Sequence, residues 1–524
     1  MSQQVVHLQS FALRTAARSD GYAVKVALPS VGKAQVQRSV VVASDAVEAV
    51  ACLLFYAQPR GKPHEAVDDA VRVLRLRKHA LVVLRSQPHA LAFKPFVGAA
   101  VVKPLEQPLH QFVSARIGML HVAYLAKRIG KVADLGGASV EISLVKNKKR
   151  IHSISIPIGA VTLTEMFQSS REVNQNKIET IQRFIQNVLS KVEWFPSEPL
   201  PVIGIGGTVR NLAKIHQRAV NYPLPKLHNY RFTVEDVFEE VRMITGKSYE
   251  ERQKISGLSS ERADIIIAGA LVIQEILRKA KASYLTISGC GLREGLFFHY
   301  YDPIYDKNGD KQHDMLRCSV QNYLDTLPIT YDFHTKYVTA TALAMFDQWQ
   351  KVHKLDPRMR DILAAAARLH DIGNLINYYS HARHSCYMTA NAHIFGWTHS
   401  EQVMCALICA FHHGYSGKYL KANGQAHILT AAQMRQVRIL SLFLAMAEGL
   451  DESQEHCITR VICTSYKAAM DLRVYTDREN FDVPAHATAS LVKDFEKPFH
   501  LPFRIQLFPG SSHRNELVEA AQKL

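Results

Sequence analysis

The sequence predicts an α/β region followed by a helical region, and three observations support this. Through residues 1–112, short apolar runs alternate with helical patterns, which is the rhythm of βαβ units. Within residues 113–300, three apolar runs break into glycines before a helical pattern. Beyond residue 315, apolar residues recur at helical spacing, as at Val338 and Ala342. A chain of 524 residues is too long for one core, and about three domains are expected.

The first glycine loop has the pattern of a strand that turns at a phosphate. Gly136 and Gly137 have no side chains, so their backbone N–H groups are able to approach phosphate oxygens. Ser139 offers a further hydrogen-bond donor, and Asp134 is suited to hold Mg²⁺ directly or through water. An ordinary Asp-Gly turn is the alternative interpretation.

The same pattern recurs at residues 202–211 and 286–295. Open α/β sheets bind ligands beyond the carboxyl ends of their strands, so three such loops on one edge predict one anion-binding cleft. The alternative is a set of αβ turns in which the glycines are plain helix and turn caps.

Composition indicates a cytoplasmic protein that attracts polyanions. The formal net charge is +16 and the pI is about 9.4, with one basic run at residues 146–150. The eight cysteines form no CxxC pair, which favours a reducing cytosol over a disulfide framework. The N-terminus has no signal-peptide pattern and no apolar run reaches about eighteen residues, so no membrane association is expected.

The chain closely resembles the exopolyphosphatase/guanosine pentaphosphate phosphohydrolase (Ppx/GppA) family in five segments: DLGGASVEISLV, SIPIGAVTLTEMF, GIGGTVRNLAKIH, RADIIIAGALVIQEIL and ISGCGLREGLFFHYY. The resemblance implies a bacterial protein of the actin-like ATPase fold, with two RNase H-like domains around a cleft and a helical HD-type domain after them. It implies RNase H-like domains at 1–112 and 113–300, a linker at 301–314, and the helical domain with a C-terminal extension at 315–524.

The family hydrolyses the terminal phosphoanhydride of polyphosphate or of pppGpp with Mg²⁺. Carried onto this chain, the resemblance implies that Asp134 holds Mg²⁺ in the α/β cleft and that Glu141 is the acid near the reacting phosphate. It also implies a set of phosphate-binding residues: Gly136, Gly137, Ser139, Gly206, Gly207, Thr208, Arg210 and Arg293. For each of the two arginines, a structural ion pair is the alternative.

Two departures from the family pattern predict weakened catalysis. The family's water-activating glutamate precedes the aspartate by about twenty residues, and the matching position here is Ser114. Serine is no general base at neutral pH without a partner that takes its proton. The family's first phosphate loop best matches residues 7–12, which have neither its acid nor its glycine. A pseudoenzyme is therefore one interpretation.

The C-terminal region carries an ordered set of metal-ligating residue types. His334, the pair His370-Asp371, and the acids Glu448 and Asp451 follow one another in an order that resembles the HD phosphohydrolase superfamily. In that superfamily such side chains bind a divalent metal such as Mn²⁺. Further candidate ligands for a second ion are His381, His384, His393, His399, His412 and His413. The alternative is a scaffold without metal, whose histidines belong to the core or line an anion groove.

Three functions remain open at this stage. The first is a Ppx/GppA-type phosphatase that binds polyphosphate or a guanosine pentaphosphate or tetraphosphate between its α/β domains. The second is a metal-dependent nucleotide phosphohydrolase centred in the helical domain, with the α/β part sensing phosphate. The third is a non-catalytic regulator that senses polyphosphate or alarmone. A homodimer is left open as the assembly.

Overall fold

The computed structural model divides the chain into two units, Met1–Val102 and Lys103–Leu524. The residues that it describes are 22–26, 38–42, 129–147, 149–171, 173–195, 198–291, 294–295, 315–329, 332–466, 469–479, 483–510 and 514–524. Most of the expected first domain, the expected linker, residues 7–12, Ser114 and Arg293 lie outside the described residues. No helix among the described residues is both long and apolar enough to cross a membrane.

The described part of the first unit is one antiparallel strand pair. Strands β1 (Tyr22–Val26) and β2 (Arg38–Val42) pair with Tyr22 opposite Val42 and Val26 opposite Arg38.

The second unit begins with a mixed six-stranded sheet. Its strands are β3 (Ile129–Leu135), β4 (Val140–Lys146), β5 (Lys149–Ile156), β6 (Val202–Ile205), β7 (Arg231–Thr233) and β8 (Tyr284–Ile287), in the spatial order β5-β4-β3-β6-β8-β7. The three strands β3, β6 and β8 are parallel neighbours, whereas β4, β5 and β7 join antiparallel. This mixed sheet with its helices fits the expected RNase H-like architecture.

Helices cover this sheet with apolar faces. They are α1 (Ala160–Met166), α2 (Gln175–Ser190), α3 (Gly207–Ala219), α4 (Val234–Thr245), α5 (Tyr249–Arg252) and α6 (Ile266–Ala280). Helix α6 has no charged residue before Glu275 and is buried along nearly its whole length, because it packs against α1, α2 and α4. A capping box of Thr233 and Asp236 fixes the start of α4.

The following region is a helical domain around one large apolar core. Its helices are α7 (Met315–Asp325), α8 (Asp332–Gln348), α9 (Gln350–His353), α10 (Arg358–Leu369), α11 (His381–Asn391), α12 (His399–Ala410), α13 (Gly417–Ala422) and α14 (Ala431–Leu450). Helices α8, α10, α12 and α14 pack on one another, and α11 packs on α12. Capping boxes begin α12 at Thr398 and α14 at Thr430.

The expectation of an all-helical C-terminal region is wrong for residues 458–508. Strands β9 (Ile458–Tyr466), β10 (Ala469–Thr476) and β11 (Phe503–Phe508) form a three-stranded sheet that packs with α15 (Val483–Phe499) and α16 (Glu516–Gln522). The physical reason is visible in the alternation of buried and less buried residues along β9 and β10, a period of two that no helix provides.

Hydrogen bonds join the α/β part of the second unit to its helical domain. Nε2 of His399, the first residue of α12, donates to the carbonyl oxygen of His228 at 2.8 Å. Nδ1 of His399 therefore accepts from the hydroxyl of Tyr222, at 2.9 Å. Asn229 Nδ2 donates to the carbonyl oxygen of Trp397 at 2.7 Å. We call these contacts the seam.

Candidate functional site

The three glycine loops lie at one edge of the sheet. In the parallel ladder Asp134 is opposite Ile205, so the loops after β3 and β6 start side by side. Gly204 is opposite Ile287, and the N–H of Ser288 donates to the carbonyl oxygen of Gly204 at 2.9 Å, which brings the third loop alongside. We call this carboxyl end of β3, β6 and β8 the glycine edge.

The first loop is held so that its carbonyl groups face helix α1. The carbonyl oxygen of Gly137 accepts from the N–H groups of Val161 and Thr162, at 2.8 and 3.1 Å, and that of Gly136 accepts from Ala160 at 3.1 Å. Because the N–H and C=O of a peptide point in opposite directions, the N–H groups of Gly137 and Ala138 are directed away from α1. Such an array of N–H groups suits an anion. The N–H of Gly136, by contrast, donates to the carbonyl oxygen of Ser139 at 2.9 Å, so it is not available to a phosphate as the sequence predicted.

The second loop brings the start of α3 against the first. Gly206 has φ 105°, and a Cβ built on it would lie 2.3 Å from the carbonyl oxygen of Leu135, so only glycine fits. No side chain caps this end of the 13-residue helix, and its first N–H groups and helix dipole favour an anion.

Arg262 lies at this helix start, and the sequence-based site list missed it. A Cβ built on Gly207 would lie only 2.2 Å from Cζ of Arg262, so the guanidinium rests on the glycine. No ion pair of Arg262 is found within the described parts of the chain. Its position inside the segment RADIIIAGALVIQEIL was the available signal. A charged residue just before the apolar first part of a buried helix is expected to have a polar contact or a ligand.

The other expected residues of this edge have defined roles in the fold. Asp134 and Glu141 are opposite each other in the β3–β4 ladder, and both are largely buried. Hydroxyls of Ser139 and Ser155 each donate to Oε1 of Glu141 at 2.7 Å, which fixes this carboxylate. Thr208 is buried, with its side chain against Gly269 on α6, so it offers its backbone N–H to the edge.

In the helical domain, three side chains from three helices converge on one point. His334 lies in the first turn of α8, His370 directly follows α10, and Glu448 lies in the last turn of α14. Nε2 of His334 and Nε2 of His370 lie 3.3 and 3.0 Å from Oε2 of Glu448. We call these three residues the inner cluster, and both histidines are buried, at 3% and 0% exposure.

The tautomer of His370 follows from its other ring nitrogen. Its Nδ1 must donate to the carbonyl oxygen of Ala367, at 2.7 Å, because a carbonyl has no hydrogen to give. In the neutral ring, Nε2 therefore carries a lone pair, and this lone pair faces the carboxylate of Glu448. Within the described residues, no hydrogen-bond partner is found for Nε2 of His334, Nε2 of His370 or Oε2 of Glu448. A cation at this point, either a proton bound to Nε2 or a metal ion, removes the repulsion.

The pKa shifts in the inner cluster also favour positive charge beside the carboxylate of Glu448. Burial lowers the pKa of His334, but its hydrogen bond to Asp451 and the nearby carboxylate of Glu448 outweigh burial and raise the pKa to about 10. Burial likewise opposes charge on His370, and the carboxylates of Asp371 and Glu448 raise its pKa to about 9. Burial raises the pKa of Glu448, yet His370 and His334 hold it well below its usual value. The cluster thus stabilises positive charge at its centre.

A second group of histidines lies next to the first. Nε2 of His381 is 3.0 Å from Nε2 of His412 and 3.1 Å from Nε2 of His413. Nδ1 of His381 and Nδ1 of His412 donate to the carbonyl oxygens of Tyr378 and Cys409, at 2.9 and 2.6 Å. We call His381, His412 and His413 the outer cluster. In the neutral rings the Nε2 lone pairs of His381 and His412 therefore face each other. His413, which is exposed, brings a third Nε2 to the same point.

Asp371 lies between the two clusters. Its Oδ1 is 3.8 Å from Nε2 of His370 and 3.4 and 3.9 Å from Nε2 of His381 and His412. Asp451, by contrast, contacts the far nitrogen of His334: its Oδ2 accepts from Nδ1 at 2.8 Å. His456 Nδ1 lies 2.9 Å from the same oxygen. Asp451 therefore orients His334 from behind.

The six additional histidines named from the sequence have three different locations. His381, His412 and His413 form the outer cluster, whereas His399 belongs to the seam. His384 and His393 belong to none of the groups of converging metal-ligand atoms found among the described residues.

Comparison with protein-family models gives two matches. The model described as Ppx/GppA phosphatase family matches residues 113–303, which include the glycine edge. The model described as Ppx/GppA phosphatase, domain III, matches residues 318–489, which include both histidine clusters.

Solved structures of related proteins are similar over part of the chain. The type II variant of the Aquifex aeolicus Ppx/GppA phosphatase is 29% identical over 36% of this chain and 62% of its own, with a TM-score of 0.32. Another structure of the Aquifex aeolicus PPX-GPPA enzyme is 30% identical over 36% and 63%, with a TM-score of 0.32. An exopolyphosphatase from Cytophaga hutchinsonii is 21% identical over 37% and 63%, with a TM-score of 0.34. The chain thus spans less than two thirds of the length of each.

Proposed function

Because the chain belongs to the Ppx/GppA phosphatase family, we propose that it is a phosphoanhydride hydrolase whose catalytic centre is the pair of histidine clusters in the helical domain. One observation carries this proposal: two imidazole nitrogens and a carboxylate oxygen converge from three helices, and none has a hydrogen-bond partner among the described residues. Buried polar atoms normally have partners, so an unpartnered set aimed at one point favours a bound cation.

The donor set fits a divalent transition metal of the HD type. Imidazole nitrogens with a carboxylate suit Mn²⁺, iron, Ni²⁺ or Zn²⁺ better than Mg²⁺. His334, His370 and Glu448, with Asp371, would hold one ion, and His381, His412 and His413, with Asp371 shared, would hold a second. Glu448 replaces the aspartate usual in HD proteins, and its extra methylene is accommodated because its Oε2 already reaches both inner histidines.

The chain's own residues prepare this centre in three ways. Asp451 and the carbonyl oxygen of Ala367 fix the rings of His334 and His370, so that each Nε2 points inward. Burial of the inner cluster keeps bulk water from competing there. Bound metal would lower the pKa of a water molecule and neutralise charge on the phosphate oxygens. Asp371, whose Oδ1 lies between the clusters, would contribute a carboxylate ligand to the centre.

The glycine edge supports a second candidate function at the α/β part, which is phosphate binding and slow hydrolysis of polyphosphate or pppGpp. The specific observation is the pair of adjacent loops, with an uncapped helix start and the guanidinium of Arg262 at Gly207. Asp134 would hold Mg²⁺ there, and Glu141 would be the nearby acid. Hydrolysis at this edge would be weak, because Ser114 stands in place of the family's glutamate and removes roughly 10²–10⁴-fold of general-base rate.

The experiment is orthophosphate release from long polyphosphate, pppGpp and ATP, with Mg²⁺ and with Mn²⁺, on protein whose metal content is known. We expect Mn²⁺-dependent release that His370→Gln abolishes and Asp134→Asn leaves nearly unchanged. Phosphate release that needs Asp134 and survives His370→Gln would show that catalysis occurs at the glycine edge. Tight ligand binding without turnover at either site would favour the non-catalytic regulator. A cytoplasmic location and a homodimer stay predictions.

A further inference from the structure

The two most exposed large side chains of the described residues, Tyr379 and Tyr378, lie beside the outer cluster. Tyr379, Tyr378 and Tyr387 are 80%, 74% and 67% exposed, and Ile376, at 55%, belongs to the same segment. Large exposed aromatic groups are costly in water unless they serve binding. Two of these tyrosines directly precede His381, with only Ser380 between.

Tyr378 is tied to the outer cluster by two contacts. Its carbonyl oxygen accepts from Nδ1 of His381 at 2.9 Å, and its ring lies 5.8 Å from the ring of His381, with only 30° between the planes. A flat group stacked on Tyr378 would therefore lie beside the outer cluster. This is also the open side of the centre, because His413 is exposed whereas the inner histidines are buried.

Tyr379 adds a second aromatic face at a steep angle to the first. The two tyrosine rings lie 5.8 Å apart with 75° between their planes. A planar ligand can stack on one ring and meet the edge of the other, an arrangement that aromatic pairs favour. The corner formed by Tyr378 and Tyr379 thus suits a flat heterocycle.

The turn that presents this corner is held in one conformation. The N–H of Tyr379 donates to Oδ1 of Asn377 at 2.8 Å, and the N–H of Asn377 donates to the carbonyl oxygen of Gly373 at 3.2 Å. Ser380 has φ 61°, in the left-handed region that residues other than glycine rarely adopt. A strained residue between an aromatic corner and a metal-type histidine favours a binding role over a plain loop.

We propose that Tyr378 and Tyr379 form a stacking platform for the base of a nucleoside phosphate whose phosphate groups lie at the histidine clusters. The proposal rests on the proposed function, because the clusters must attract phosphate. A nucleoside phosphate is the ligand class that carries a flat aromatic face and an anionic tail on one short linker. Inorganic polyphosphate offers nothing to the two rings, so the platform predicts preference for a nucleotide.

The test compares ligands that differ only in the base and contain no phosphoanhydride bond. Binding of GMP, AMP and ribose 5-phosphate to the full-length chain with Mn²⁺ is measured by titration calorimetry. Base stacking on aromatic side chains is worth about 1–3 kcal/mol, so we expect the nucleotides to bind roughly 5- to 150-fold tighter than ribose 5-phosphate. The double variant Tyr378→Ala/Tyr379→Ala should lose this preference and bind ribose 5-phosphate as before.

Three controls sharpen the result. The double variant Tyr378→Phe/Tyr379→Phe keeps the rings and should keep the preference. Tyr387→Ala removes an equally exposed tyrosine elsewhere on α11 and should change nothing. Metal content of every sample separates this proposal from the proposed function, because absence of bound metal overturns the latter alone. A base preference that survives the double alanine variant, or no base preference in the unmodified protein, overturns the platform and favours a protein-binding patch.

Discussion

The glycine edge and the histidine clusters both suit phosphate, but they use opposite chemistry. The glycine edge presents backbone N–H groups, a helix start and one guanidinium, and it needs glycine because a side chain would block the approach. The clusters present buried imidazole lone pairs and carboxylates that are repulsive until a cation arrives. The first region therefore has its own groups for binding phosphate, whereas the second needs a metal. Loss of metal should abolish phosphate release at the clusters and leave phosphate binding by the N–H groups and Arg262 of the glycine edge.

The largest expected effect concerns Glu448, whose Oε2 reaches both inner histidines. Glu448→Gln keeps the shape and removes the charge, so the inner metal should be lost. Phosphate release should then fall by more than the roughly 10- to 100-fold typical of residues behind a metal ligand. Glu448→Asp is the matched control and should retain metal. Elemental analysis and phosphate release measure both. Full metal content in Glu448→Gln would remove Glu448 from the ligand set.

The next effect concerns the seam between the two regions and depends on pH. Burial, together with the charge of Lys226, lowers the pKa of His399 to about 4 despite its bond to the carbonyl oxygen of His228. The native state therefore needs neutral His399, whereas the unfolded chain protonates it near pH 6.5. The contribution of neutral His399 to the free energy of unfolding is fully present above pH 6.5. It is lost as the pH falls towards 4, and the total loss is about 3 kcal/mol.

Denaturant unfolding at pH 7.5, 6, 5 and 4.5 measures this loss. His399→Gln should lower stability at pH 7.5 and flatten the decline towards acid. His393→Gln changes an exposed histidine near α12 and should leave the decline as it is. An equally steep decline in His399→Gln would show that other groups govern acid stability, and that the seam is not the acid-sensitive contact.

A smaller effect is expected behind the inner cluster. Asp451→Asn leaves all Nε2 atoms in position but weakens the hold on Nδ1 of His334, so metal affinity should fall roughly 10- to 100-fold. Competition with a chelator measures the affinity. His456→Gln touches the same carboxylate from the other side and should cost less. If Asp451→Asn removes the metal as completely as Glu448→Gln, Asp451 is itself a ligand.

The smallest effect is expected at the glycine edge. In chelator-treated protein, Arg262→Gln should weaken tripolyphosphate binding roughly tenfold, because a hydrogen bond to a charged group is worth about 1.5 kcal/mol or more. Arg210→Gln is the control, since Arg210 is exposed and its Nε faces the carbonyl oxygen of Gly206. Unchanged binding in Arg262→Gln, with metal content also unchanged, would assign the guanidinium a purely structural role.

The sequence predicted the glycine edge well because its chemistry is local. The second loop is a strand, a glycine pair and a helix start in continuous sequence, and parallel strands bring the three loops to one edge. The expectation that the first loop precedes a helix is wrong, because β3 turns at Gly136 and Gly137 into strand β4. Arg262 was not predicted from the sequence, because it reaches Gly207 from a segment more than fifty residues further along the chain. Spacing alone gives no sign of that contact.

The histidine clusters were predictable in type but not in arrangement. The order of His334, His370 and Glu448 indicated a shared centre, yet the side of His334 on which Asp451 lies depends on how α14 ends. The sequence did not show that His381, His412 and His413 converge whereas His384 and His393 do not. The packing of α11 and α12 decides which helix face is directed inward. The strands at 458–508 were missed although β9 and β10 alternate in burial.

Helix α12 gives the two regions a mechanical connection. His399 begins it at the seam, and His412 and His413 follow its last turn. Nδ1 of His228, whose carbonyl oxygen holds His399, also accepts from the N–H of Gly289 in the third glycine loop, at 3.2 Å. A twelve-residue helix is a stiff rod of about 18 Å. A shift of the third loop that moves His228 is therefore expected to displace α12 as a rigid body, and with it the imidazoles of His412 and His413 in the outer cluster.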